Sequence, residues 1–156
     1  MNTQGIVVQP DEGLVTLSKT TPGRFYALKL LGGATGDSIM LFEETVPAGT
    51  KSTLHLHHDS DEIAYVLSGE VTFLIGEEVT VGGPGACAFM PRGVPHAWKS
   101  TGAETGKVLF FYTPAKAGGL IEEQHRTGRS FAAMGEAELA DTLRRHGWEL
   151  LGPSPL

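Results

Sequence analysis

Residues 49–69 read GTKSTLHLHHDSDEIAYVLSG. Gly49 and Gly69 bracket His55, His57 and Glu62 in the pattern Gly-x5-His-x-His-x4-Glu-x6-Gly. Side chains alternate between the two faces of a β-strand, so His55 and His57 share a face, with Cα atoms roughly 6.5–7 Å apart. Two imidazoles at that separation converge on one ion at about 2.0–2.1 Å each. Asp59, Ser60 and Asp61 form a polar break of the kind that turns a chain. Glu62 opens the next apolar run, EIAYVLSG, and would bring a carboxylate oxygen in from the neighbouring strand. Gly69 and Glu70 end that run with a turn.

Working outward, residues 85–98 read GACAFMPRGVPHAW and hold a second pattern, Gly85-x5-Pro91-x-Gly93-x2-His96. Proline fixes φ and glycine permits unusual φ, so Pro91-Arg92-Gly93-Val94-Pro95 is a stiff, kinked turn. His96 follows it directly, positioned to complete a site whose other ligands lie on separate strands. Three imidazoles and a carboxylate suit a first-row transition metal.

These two patterns resemble the two motifs of the cupin superfamily, and the segment between them, residues 70–84, is close to the short bacterial length. The resemblance implies a double-stranded β-helix, a jelly-roll barrel, with His55, His57, Glu62 and His96 as ligands of a divalent ion (Fe, Mn, Ni, Co, Cu or Zn). One position departs: Ser100 stands where the second motif has a non-ligating Asn, and Ser can supply a similar turn hydrogen bond. The wider stretch, residues 30–114, is similar to small cupins related to quercetin 2,3-dioxygenase.

Composition agrees with an all-β fold and removes several function classes. Glycine makes up 21 of 156 residues, about twice the usual ~7% share, which fits many tight turns. A 40% hydrophobic and 19% charged chain is long enough to bury a real core. We expect one cupin domain over residues 1–156, with the barrel at about 25–114 and a helix and tail at about 118–156. A formal charge of −6 argues against nucleic acid, and Arg144-Arg145 is the only adjacent basic pair. No apolar run approaches the ~18–20 residues that span a bilayer. No secretory leader is visible at the N-terminus, and the single cysteine, Cys87, has no partner for an internal disulfide, so a cytoplasmic location is expected. Gly-rich GGPG and GGATG lack the Lys-Ser/Thr of a phosphate cradle, and no Gly-x-Ser-x-Gly occurs.

Short apolar runs with turn signals between them predict strands at residues 25–31, 38–46 and 108–114 and through the centre of the chain, with edge strands before residue 24. Residues 136–146, EAELADTLRRH, carry acids early and bases late before Gly147, which predicts a helix. Trp148, Leu150 and Leu151 are expected to pack on the barrel or on a second subunit. His58 has the parity opposite to His57 and reads as a surface residue. His125 and His146 lack partners at ligand spacing and read as exposed. Cys87 reads as a small hydrophobe in an apolar strand; Glu43 and Glu44 are adjacent on a strand and point oppositely, so one can face the interior, although a solvated side chain is the commoner outcome. Trp98 shares the parity of His96 and is the first candidate for a substrate pocket, with Phe42, Met90 and Phe110 beside it.

The resemblance implies a metal-dependent dioxygenase acting on a small aromatic or enolic compound, with Glu62 as both ligand and catalytic proton acceptor. The alternatives are a ligand-binding or sensor cupin that performs no chemistry, and a metal-dependent isomerase or decarboxylase. The expected partners are a small-molecule ligand and a second copy of the chain in a homodimer, with no nucleic acid and no membrane.

Overall fold

Residues 106–113, GKVLFFYT, show how the alternation is used: Gly106, Val108, Phe110 and Tyr112 are buried while the residues between them are less so. The computed structural model describes residues 4–156. Its strands are β1 (Leu14–Leu17), β2 (Phe25–Leu30), β3 (Met40–Val46), β4 (Leu54–His57), β5 (Asp61–Ser68), β6 (Val71–Ile75), β7 (Glu78–Gly82), β8 (Cys87–Met90), β9 (His96–Ser100), β10 (Gly106–Thr113) and β11 (Trp148–Gly152). Two helices, α1 (Gly119–Thr127) and α2 (Glu136–His146), lie between β10 and β11.

The strands form two sheets, one ordered β1-β2-β3-β10-β5-β8 and the other β11-β4-β9-β6-β7, and every strand pair is antiparallel. Their inner faces meet in one cluster that includes Leu28, Met40, Phe42, Val66, Phe73 and Phe110. Full burial of each such side chain contributes roughly 1.5–3 kcal/mol, and this drives the two sheets together. This is the all-β double-stranded β-helix that the resemblance implied.

Two glycines show why the connections are tight. Gly69 has φ +82°, and a Cβ there would sit 2.7 Å from the Gly106 Cα, so the turn after β5 admits no side chain. Gly147 ends α2 in the left-handed conformation, φ +69°, and its amide closes the helix on Arg144.

The helix expected at residues 136–146 forms over those residues. Other expectations are corrected. Of the apolar stretches before residue 24 expected to form edge strands, residues 14–17 do so as β1 and residues 6–8 do not. A helix the sequence reading left out, α1, fills the connection after β10, and residues 148–152, taken as tail, form β11 against β4. Cys87 is exposed, because β8 turns Cys87 and Phe89 outward and Met90 inward.

Candidate metal centre

His55 and His57 both face inward from β4, as their spacing requires. β9 pairs with β4 at one position, His55 opposite His96. The three imidazoles therefore lie on one sheet, with ring centroids 4.5 to 5.1 Å apart. Glu62 does not come from a neighbouring strand, as the sequence reading had it. It stands on β5 in the facing sheet, because the turn at residues 58–60 carries the chain across the barrel. The cluster is thus closed between the two sheets, and all four side chains are buried.

The turn before His96 is anchored to both neighbours. The Gly93 amide donates to the His57 carbonyl at 2.7 Å. Arg92 holds the Asp61 carboxylate with its amide, Nε and Nη2, at 2.9, 3.1 and 2.9 Å. These bonds fix the positions of His96 and of Glu62, the residue after Asp61.

The donor atoms meet at Glu62 Oε2, which lies 2.8 Å from His57 Nε2, 3.1 Å from His96 Nε2 and 4.0 Å from His55 Nε2. One ligand atom from each of the four residues falls within 4.8 Å of the others. Neighbouring ligands of a single first-row ion, with bonds of about 2.0–2.1 Å, lie at comparable separations. Hydrogen bonding supports the same reading. His55 Nδ1 donates to the Thr53 carbonyl at 2.8 Å and His96 Nδ1 to the Val94 carbonyl at 2.9 Å. With those protons on Nδ1, the Nε2 lone pairs face a carboxylate, and the contact is attractive only with a proton or a cation between them. Among the described residues His57 Nδ1 is buried without a hydrogen-bond partner. A buried cluster of His55, His57, Glu62 and His96 suits a divalent metal.

Burial, with the charge of His96 close by, pushes His55 down to about 3. Burial also lowers His57, outweighing its bond to Glu62. For His96 burial acts in the same direction, but the Glu62 carboxylate outweighs it and the net shift is upward. Burial alone would raise Glu62; the hydrogen bonds and charges of His57 and His96 overcome it and hold the carboxyl well below the usual carboxylate range. Such a carboxylate remains ionised in the interior and ready for a cation.

A cavity of about 390 Å³ opens onto the cluster, within the size range of small-ligand sites. Phe42, Phe110 and Trp98, three of the pocket candidates named from the sequence, line it. Met90 does not. It is fully buried opposite Glu62 on β8, at the far edge of the sheet, whereas the cavity is bounded from the β1-β2-β3-β10 side. Three lining residues went unrecognised in the sequence. Trp148, placed by β11, stacks on His55 and meets His57 edge-on. Arg24 and Glu44 form an ion pair, Nε to Oε1 at 2.6 Å, with the Glu44 side chain 3% exposed. The expected solvated position of Glu44 is therefore overturned: parity along β3 puts it inward with Met40 and Phe42. A cation within reach of that parity, Arg24 just before β2, was the available signal.

His58 is exposed and faces Glu149 at 2.9 Å. His146 and His125 are half-buried rather than exposed: His146 Nε2 lies 2.7 Å from Glu123 Oε2, and His125 bonds Thr16, because α1 packs on both α2 and β1. Ser100 Oγ donates to the Val46 carbonyl at the end of β3, at 3.4 Å, a long-range bond rather than one within a turn.

Residues 42–112 match the cupin domain family model. Together with the two-sheet barrel, this match identifies those residues as a cupin domain. An uncharacterized protein of Methanocaldococcus jannaschii is 33% identical over 69 residues, which are 44% of this chain. The chain covers only 55% of that curated relative. Among solved structures, a predicted oxalate decarboxylase from Thermotoga maritima aligns with TM-score 0.63 and 23% identity over 69% of this chain and 98% of that one. A sugar phosphate isomerase of the cupin superfamily from Silicibacter pomeroyi aligns with TM-score 0.58 and 22% identity, over 69% and 75% of the two chains. At these identities the likeness concerns the fold. No helix among the described residues is long and apolar enough to cross a membrane.

Proposed function

We propose that this chain is a metal-dependent dioxygenase of a small aromatic or enolic compound. One observation carries the reading: a complete three-histidine, one-glutamate cluster lies at the wall of a cavity lined by Phe42, Phe110, Trp98 and Trp148. A redox-capable divalent ion held there would supply Lewis acidity and one-electron chemistry toward dioxygen.

The protein's own part is to orient and deprotonate. The aromatic side chains take up a flat, apolar substrate and exclude water from it. The three imidazoles all approach Oε2 of Glu62, so Oε1 is the oxygen that takes the proton of a substrate hydroxyl. Trp148 keeps His55 and His57 in place while this happens.

The test is oxygen uptake by protein whose metal content has been measured without added metal, with small enols and catechols as substrates. Glu62→Gln that keeps its metal should lose turnover by two or more orders of magnitude, the range of general base catalysis at roughly 10²–10⁴-fold. Undiminished turnover in that variant ends the role of Glu62, and no redox-active metal in the purified protein ends the dioxygenase reading.

A second reading, proton-transfer chemistry without oxygen, is favoured by one feature. Burial, partly offset by Arg24, pushes the Glu44 carboxyl up to about 7, so a second acid of the cavity can exchange a proton near neutrality. Substrate conversion without oxygen consumption would select this reading. A homodimer remains part of the proposal, with an outward strip of β5 and β8 bearing Tyr65 and Phe89 as its face rather than Trp148, which points inward. Sedimentation of wild type and Phe89→Glu tests it. A reducing, cytoplasmic setting belongs to the same reading, since Cys87 is exposed and free.

A further inference from the structure

The cavity has two chemically different ends, and strand register places them. Glu62 pairs with Tyr112, and Tyr112 with Met40. The next inward layer joins Ala64, Phe110, Phe42 and Leu28, and the one after it joins Val66, Val108, Glu44 and Tyr26. Glu44 is therefore four residues along β3 from the level of Glu62, about 13 Å of strand rise. The metal cluster occupies one end, aromatic rings the middle and the Arg24–Glu44 pair the other end.

Arg24 is held unusually well for a pocket residue. Its Nε is bound to Glu44, and its guanidinium carbon lies 5.3 Å from the Tyr26 ring centroid and 5.5 Å from that of Trp98. A guanidinium carries five N–H donors. Nε is taken by Glu44 and the Tyr26 hydroxyl also engages the guanidinium, which still leaves Nη donors for a guest at the cavity wall. The fork of a guanidinium matches a planar carboxylate with two parallel bonds. Glu44 does not forbid an anionic guest. Burial has already moved its carboxyl up to about 7, and the charged groups facing it are Arg24 and, more distantly, Glu62.

We infer that Arg24 is the receptor for a carboxylate, and that the substrate is an elongated aryl or enolic acid whose carboxylate meets Arg24 while its oxygen function meets the metal cluster. This inference rests on the cavity being the substrate chamber, as proposed above, and narrows the substrate class.

The experiment is calorimetric titration of full-length protein loaded with Zn(II), which has no redox chemistry of its own, so that binding is read without turnover. The probes are 4-hydroxycinnamate and its neutral amide. The acid should bind at least about tenfold more tightly than the amide, the size expected of a charge-assisted bidentate contact. Arg24→Gln should bring the two affinities together. Arg24→Gln/Glu44→Gln should do the same while leaving no unpaired acid inside, with thermal melting confirming that both variants fold. Equal binding of acid and amide to the wild type, a preference that survives in both variants, or no binding of the acid at millimolar concentration overturns the inference. Selective binding with no oxygen uptake by iron- or manganese-loaded protein would instead sink the dioxygenase reading and leave the carboxylate receptor standing.

Discussion

The indole of Trp148 lies flat on the imidazole of His55, with ring centroids 4.7 Å apart and planes 8° from parallel. The same indole meets His57 edge-on at 4.3 Å and is itself held by its Nε1, which donates to the Ala117 carbonyl at 2.9 Å. Two ligands of the cluster are thus braced by a residue about 90 positions further along the chain. Trp148→Ala should weaken divalent metal binding by roughly 10–100-fold, the range seen when groups that support metal ligands are removed. Trp148→Phe, which keeps a flat ring but loses the tie to Ala117, should fall between. Competition with a chelator of known affinity measures both.

Metal removal should lower thermal stability. An ion at 100 times its dissociation constant favours the folded state by about 2.7 kcal/mol, which for a chain of this size is roughly a 5–10 °C change in Tm. Chelation should produce that drop in the wild type and almost none in His96→Ala, which lacks one of the four donors. Equal drops in the two proteins, by scanning calorimetry, would contradict a site made of these residues.

Glu44 should leave a mark on the pH dependence of stability. Its folded pKa, about 7, lies above the ordinary 4.5, chiefly because it is buried. The folded state then binds a proton that the unfolded state has released, so stability is full below about 4.5 and falls as pH rises toward 7. The loss amounts to about 3 kcal/mol. Glu44→Gln should flatten this part of the profile, and urea denaturation at pH 4.5, 6 and 8 would show the difference.

Gly69→Ala should destabilise without touching the metal. The residue has φ +82° and its new Cβ would press on the Gly106 backbone at 2.7 Å. A strained left-handed residue costs on the order of 1–3 kcal/mol. The midpoint of urea unfolding should fall with an unchanged slope.

The site was legible to different depths. His55 and His57 could be placed together because strand alternation is local, and His96 because a stiff Pro-Gly-Pro turn precedes it. The helix at residues 136–146 was marked by its charges and by Gly147. Which sheet carries Glu62 was not legible, since a polar turn such as residues 58–60 serves a hairpin or a crossing between sheets equally well. Met90 and Cys87 were misplaced for a related reason. Parity says which residues of β8 share a face, but only its position at the sheet edge, beside β5, decides what that face meets. Trp148 depends on partners far away in the chain, which no local pattern announces, and Glu44 on an Arg24 whose pairing only the packing of β2 on β3 settles.

By itself, then, the order of residues determined the period-two strands, their turns and the identity of four donors, because these follow from backbone geometry within a few positions. Tertiary structure alone decided that the donors close on one another between two sheets, that Trp148 braces two of them, and that Arg24 and Glu44 face inward at the opposite end of the cavity. Those outcomes required whole sheets to pack, since burial is what pairs a charge with its partner and aligns a ring with an imidazole across the barrel.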